Sequence, residues 1–168
     1  AISFTTSPVH TIEYYVELVK TMESMGADSI CIKDMAGVLT PYKAYDLVKR
    51  IKEMTDIPID LHTHCTGGIA DMIYMKAVEA GVDIIDTAIS PFSGGTSQPP
   101  TESLSLTFSE MERNPGLDME KLLQVAEYFK PIRDKYMSDK ILNPKVLLTE
   151  PQTLKYQVPG GMLSNLLS

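Results

Sequence analysis

His62 and His64, in Leu61-His62-Thr63-His64, are the side chains in this sequence best placed to share one metal ion. They close the apolar run after Asp56-Ile57-Pro58, and in an extended strand alternate side chains project to the same face. Neutral imidazole is the commonest protein ligand for divalent transition metals. The same pair also fits a half-exposed strand carrying two polar residues and no metal. Lys33 ends another apolar run, in Ile32-Lys33-Asp34-Met35-Ala36-Gly37, where it could join the histidines. An ammonium cannot coordinate a metal and is disfavoured beside another cation. A desolvated, neutral amine can instead capture CO₂, and the carbamate offers carboxylate-like oxygens. The plainer reading is a lysine salt-bridged to Asp34 or another carboxylate at the rim of the fold. Thr96 sits in Pro91-Phe92-Ser93-Gly94-Gly95-Thr96-Ser97-Gln98-Pro99-Pro100, whose glycines allow close backbone approach to a ligand. Its hydroxyl is too weak an acid to serve alone as a base, but it can relay a proton between two bound partners. Otherwise the loop is a structural turn before a helix at Thr101.

Composition narrows the setting of these residues. The chain has 168 residues, 43% hydrophobic and 22% charged, enough to bury a core. A net charge of -7 with a pI near 4.9 disfavours binding to nucleic acid or to anionic membranes, which need a basic face. No long uncharged apolar stretch marks a membrane span. Cys31 and Cys65 are far apart and outside any C-x-x-C pattern, so they read as packing residues in a reduced, cytoplasmic setting.

The elements that must position the candidates alternate in a fixed rhythm. Strands are predicted at 2–5, 29–33, 59–62 and 82–89, with helices at 11–25, 40–54 and 69–80 between them. Thr40-Pro41 reads as a helix N-cap followed by the first helical residue, and Gly26 and Gly81 read as stops. Repeated βα units imply a parallel sheet. Within the strands Cys31 and Lys33 alternate with Ile30 and Ile32, and Asp60, His62 and His64 alternate with Ile59, Leu61 and Thr63. With the aliphatic set packed on helices, the polar set faces inward, as at the C-terminal strand ends of a (β/α)₈ barrel. A doubly wound open sheet is the alternative, but it would want a glycine-rich phosphate turn, and no G-x-G-x-x-G or Walker pattern occurs. Residues 1–112 are therefore expected to form the C-terminal part of a TIM barrel. A helix at 101–112 ends that part, and residues 113–168 are expected to be a helical extension, with a helix at 118–137, a short strand at 146–148 and the start of a C-terminal helical region. The strand-like opening at Ala1 without an initiator Met predicts a piece of a longer protein, and half a barrel by itself would expose strand edges.

Four motifs in order carry a resemblance. Ile32-Lys33-Asp34-Met35-Ala36-Gly37, Leu61-His62-Thr63-His64-Cys65-Thr66, Asp86-Thr87-Ala88 and Gly95-Thr96-Ser97-Gln98-Pro99 resemble the carboxyltransferase domain of biotin-dependent enzymes acting on pyruvate and oxaloacetate. That family includes oxaloacetate decarboxylase alpha subunits, pyruvate carboxylase and transcarboxylase. Ile89 to Pro99 resembles the oxaloacetate decarboxylase alpha type or the separate-subunit type of pyruvate carboxylase, and Tyr156-Gln157-Val158-Pro159-Gly160-Gly161-Met162 resembles the entry into the family's C-terminal helical region.

The resemblance implies a divalent metal, Zn²⁺, Mn²⁺ or Co²⁺, held by an N-terminal aspartate, a carbamylated Lys33, His62 and His64. It gives Thr96 the role of passing a proton between pyruvate and biotin. It also implies biotin on a separate carrier domain, pyruvate or oxaloacetate as substrate, and a homo-oligomer or multisubunit complex. The decarboxylase type, peripheral to a membrane-bound complex, is the expected form. The aspartate and a substrate-binding arginine belong to a first-strand motif that these 168 residues lack, so the piece alone is expected to be inactive. The alternatives are a related metal-dependent lyase or synthase that condenses acetyl-CoA with keto acids, or a non-catalytic scaffold segment.

Overall fold

Alternation between aliphatic and polar side chains sets the sheet. In the computed structural model, which describes residues 1–157 and Met162, four strands lie side by side and all are parallel. They are β1 (Ile2–Ser3), β2 (Ile30–Asp34), β3 (Ile59–Thr63) and β4 (Ile84–Ile85), with α1 (Ile12–Ser24), α2 (Pro41–Lys52) and α3 (Ala70–Ala80) in the crossovers. Their spatial order, β1-β2-β3-β4, is their chain order. A doubly wound sheet reverses direction at a switch point, whereas a barrel wall adds each strand beside the last. The α/β sheet is thus a segment of barrel wall.

One face of this wall is dry. Ile30, Ile32, Ile59 and Leu61 are buried against Tyr15 and Val19 of α1, Leu47, Val48 and Ile51 of α2, and Ile73, Tyr74 and Ala77 of α3. Each such aliphatic side chain contributes about 1.5–3 kcal/mol when fully buried. The other face carries the polar set in rows fixed by the register. Ser3, Lys33 and His62 are paired across β1, β2 and β3, and Cys31, Asp60 and Ile84 form the row beneath.

Several expected elements differ at their ends. The strand predicted at 82–89 is only Ile84–Ile85, because β4 has a described neighbour on one side alone; beyond it Ala88 makes a single bridge to Pro100. The strand expected at 146–148 is a 3₁₀ turn, Pro144–Leu147, with the Asn143 side chain accepting from the Lys145 N–H at 3.0 Å and proline at its first position. Thr40 precedes α2 in an extended conformation, yet its side chain caps nothing. Asp34 orders the turn that leads up to it. Its carboxylate is fully buried and accepts from the Val38 N–H, the Leu39 N–H and the Thr63 hydroxyl, each at 2.9 Å.

The helix expected at 101–112 is α4 (Thr101–Phe108), and the next is α5 (Met119–Ser138), started by Asp118 accepting from the Lys121 N–H. A short α6 (Thr153–Tyr156) follows. The stretch that resembles the entry to a C-terminal helical region lies largely outside the described residues, from Val158 onward. No helix among the described residues is long and apolar enough to cross a membrane.

Burial holds the Asp34 carboxyl above its ordinary range, against the three hydrogen bonds that favour its charged form. Because the folded state holds that proton more tightly than the unfolded state, stability should fall as pH rises from the unfolded carboxylate value through the folded one, and Asp34→Asn should remove this slope. Asp34→Ala leaves the three donors unpaired and should cost about 3 kcal/mol or more, measured by urea denaturation of the full-length protein.

Candidate active site

The polar row ends in a pair of imidazoles with fixed tautomers. His62 is near the end of β3 and His64 just past it, and across the row Asp86 follows β4. His62 Nδ1 lies 2.7 Å from the Asp86 carboxylate, and His64 Nδ1 lies 2.6 Å from the Thr96 carbonyl oxygen. Both partners can only accept, so each Nδ1 carries a proton and donates it. In neutral rings both Nε2 atoms then present lone pairs, and these stand 3.1 Å apart. Two lone pairs at that distance repel unless a proton or a cation lies between them. Imidazole nitrogens that bind one ion at about 2.1 Å stand roughly 3.0–3.4 Å apart, so the pair fits a shared divalent metal. A carboxylate or carbonyl behind each ligating ring is the usual device for aiming it.

Burial lowers the His64 pKa, outweighing the Thr96 carbonyl, and the neighbouring His62 and Lys33 push the same way. The ring therefore keeps its lone pair available near neutrality. Lys33 is paired in register with His62 and shares its face. It makes no ion pair among the described residues, and Asp34 is committed to the opposite, buried face. The Lys33–Asp34 salt bridge considered from sequence is therefore absent. Among the described residues no three His, Cys, Asp or Glu side chains converge on a metal position.

The row beneath is inert by its chemistry. Burial first, then the Asp60 carboxylate, pushes the Cys31 thiol up to about 12, and burial does the same to Cys65. Neither is a thiolate near neutrality, in keeping with a packing role. Burial likewise raises the Asp60 carboxyl, whose Oδ1 has no partner among the described residues.

Three groups brace the imidazoles. Gly37 has φ +62 and runs so close to β3 that an added Cβ would sit 2.5 Å from the His64 carbonyl oxygen. Tyr74, fully buried on α3, accepts from the Thr63 N–H at 3.1 Å and donates to the Asp86 carbonyl at 2.6 Å, locking the ends of β3 and β4 together. Glu102 on α4 accepts from the Ser90 N–H with both oxygens, at 3.2 and 3.0 Å, and holds the start of the loop that carries Thr96. Thr96 meets the site through its main chain; its hydroxyl has no hydrogen-bond partner among the described residues. The Gln98 side-chain amide reaches in as well, with Nε2 at 3.3 Å from His62 Nε2 and 3.4 Å from His64 Nδ1. Since both Nδ1 atoms donate, the amide can donate only to His62 Nε2.

Asp86, Gln98 and Tyr74 were given no role on sequence grounds. Asp86 has a period-two signal, two residues beyond the inward Ile84. Gln98 and Tyr74 have none, because a loop and a buried helix face carry no periodic mark of what they touch.

Comparison with known proteins gives the chain's family and fold. The family described as HMGL-like matches residues 1–129. The chain is 55% identical over its whole length to a pyruvate carboxylase subunit of Methanocaldococcus jannaschii, covering 29% of that protein. It is 45% identical, over 99% of its length, to the methylmalonyl-CoA carboxyltransferase 5S subunit of Propionibacterium freudenreichii subsp. shermanii, covering 33% of it. The carboxyl transferase domain of Rhizobium etli pyruvate carboxylase, solved with pyruvate and biocytin, superposes with a TM-score of 0.88 at 35% identity, over 98% of this chain and 28% of that one. The chain thus spans about a third or less of these relatives.

Asp86→Ala removes the acceptor behind His62 and should weaken Zn²⁺ binding by the full-length protein about 10- to 100-fold in a titration. Tyr74→Phe strands the Thr63 N–H and the Asp86 carbonyl, and should lower stability by about 1–3 kcal/mol in a denaturation experiment.

Proposed function

Because the chain belongs to the HMGL-like family, we propose that it supplies the metal-binding wall of a carboxyltransferase site that moves a carboxyl group between biotin and the pyruvate–oxaloacetate pair. The observation that carries this reading is the pair of Nε2 lone pairs, each aimed by a committed Nδ1 proton, beside a lysine on the same face that has no ion-pair partner among the described residues. Relatives named pyruvate carboxylase and methylmalonyl-CoA carboxyltransferase support the carboxylase and transcarboxylase types above the oxaloacetate decarboxylase type expected from sequence. Biotin reaches the site on a separate carrier domain, and the working unit is a homo-oligomer or multisubunit complex.

Transfer of the carboxyl group passes through the enolate of pyruvate, whose charge gathers on oxygen. The chemistry that a divalent ion supplies when bound is Lewis acidity toward that oxygen. Zn²⁺, Mn²⁺ and Co²⁺ all suit mixed imidazole and oxygen donors. His62 and His64 would hold the ion, and Asp86 and the Thr96 carbonyl keep their rings in the tautomer that leaves Nε2 available. Lys33, as its carbamate, adds an oxygen donor from the neighbouring strand and turns a repelling ammonium into an attracting anion. The Gln98 amide stands ready to donate to an oxygen brought beside the imidazoles. The Thr96 hydroxyl, without a hydrogen-bond partner among the described residues, is free to take and return a proton between pyruvate carbon and biotin nitrogen.

In the full-length enzyme, elemental analysis of His62→Ala with His64→Ala should show loss of bound metal, and undiminished occupancy would reject the assignment. Thr96→Val keeps the carbonyl on His64 and deletes the hydroxyl; it should abolish carboxyl transfer with metal content unchanged, and retained activity would remove the relay from this reading.

A further inference from the structure

The segment after α5 returns across the loops at the C-terminal ends of the strands and touches three of them in turn. At the loop beyond β4, the Val146 carbonyl accepts from the Thr96 N–H at 2.8 Å. Gly95, at φ +51, lies so close beneath that an added Cβ would collide with the Val146 oxygen and sit 2.6 Å from Leu147 Cα. At the loop beyond β3, the Glu150 N–H donates to the Thr66 carbonyl at 2.7 Å. There Gly67 leaves room for the Leu154 side chain, and a Cβ on Gly68 would meet Thr149 Cγ2 at 2.7 Å. At the loop beyond β1, Gln157 Oε1 accepts from the Thr5 hydroxyl at 2.9 Å and the Thr6 N–H at 3.0 Å, and its Nε2 donates to the Thr6 carbonyl at 2.9 Å.

Residues 144–157 thus form a strap, and at its first anchor it reaches the candidate ligands. The loop bearing Thr96 is held from two sides. From below, His64 Nδ1–H donates to the Thr96 carbonyl, and the Cys65 N–H donates to the Ser97 carbonyl at 2.8 Å. From above, the only main-chain tie to Thr96 itself among the described residues is the Val146 carbonyl. We propose that the strap is a positioning element for His64: it presses the Thr96 peptide onto Nδ1 and so decides which ring nitrogen keeps its lone pair. The hydrogen-bonded series runs from the Val146 carbonyl to the Thr96 N–H, then from the Thr96 carbonyl to His64 Nδ1–H, leaving Nε2 free. A loop held from one side only lets the acceptor drift, and a neutral imidazole without a fixed acceptor exchanges its proton between both nitrogens. Leu154 and Gln157, distant from the imidazoles in sequence and outside the ligand set, become positioning residues through the strap. The metal readout of this inference rests on the carboxyltransferase reading; the tautomer readout does not.

The test uses the full-length protein with ¹⁵N-labelled histidine. Gly95→Ala is designed to lift the strap at its first anchor, and the double variant Leu154→Ala with Gln157→Ala to release its far anchors without touching the site. Hydrogen exchange at the Thr96 and Glu150 amides reports release. In the parent, the His64 resonances should show a protonated Nδ1 and a bare Nε2. Both variants should show a mixture of tautomers and about 10-fold or greater loss of Zn²⁺ affinity. An unchanged His64 tautomer in a variant whose amides exchange faster would overturn the proposal, and unchanged exchange in both variants would overturn the assignment of these contacts as anchors. A parent that binds no Zn²⁺, with variants that still show the tautomer shift, would sink the functional reading and leave the strap in place.

Discussion

At 3.1 Å, with each Nδ1 proton already given to an acceptor, the Nε2 atoms of neutral His62 and His64 confront each other with lone pairs, and among the described residues only the Gln98 amide, 3.3 Å from His62 Nε2, offers either of them a donor. Such an arrangement is unfavourable in isolation and persists only because its surroundings over-determine it. The Asp86 carboxylate and the Thr96 carbonyl fix the protons, Gly37 allows the chain to pass close beside the His64 carbonyl, and Tyr74 ties the strand that presents the histidines to the one that leads to Asp86. Under the proposed carboxyltransferase reading, a cation taking both lone pairs at once would offset the cost of ordering the pair. Preorganised donors that need no rearrangement on binding are what make a metal site selective and strong.

The wall behind the pair is what permits it. A parallel sheet covered by helices on one face can commit every outward residue to packing, as Ile30, Ile32, Ile59 and Leu61 are committed. The inward residues are then free to be polar, and register alone lines up Lys33 with His62. Asp34 shows how strict the division is. One residue beyond Lys33, its carboxylate is turned to the dry face and spent on the turn into α2, so it cannot quench the lysine charge. Lys33 faces the imidazoles with no ion-pair partner among the described residues, the setting that the proposed carbamate would answer.

Much of this was legible in the residues themselves. Period-two alternation placed His62, His64 and Lys33 on one face, and the βα rhythm placed that face inside a barrel wall, because both depend on local geometry that sequence spacing encodes. The misjudged parts share a cause of another kind. The strand expected to reach residue 89 stops at Ile85 and the strand expected at 146–148 is a 3₁₀ turn, because pairing partners, not propensity, decide whether an extended run becomes a strand. Thr40 does stand at the N-cap position with Pro41 after it, as its residue types suggest, but its hydroxyl makes no capping hydrogen bond, and that choice of rotamer leaves no mark in the spacing.

By itself, then, the sequence determined the layering of the sheet, the face on which the chemistry lies and which imidazoles share it, since each follows from side-chain direction along a strand. Only the tertiary structure decided how those imidazoles are used. The acceptors that set their tautomers come from Asp86 and Thr96, 24 and 32 residues away from the rings they hold, and the strap that braces Thr96 from Val146 lies farther still. Hydrogen-bond partners at such separations are chosen by where the folded chain brings its loops, and no local pattern records that choice.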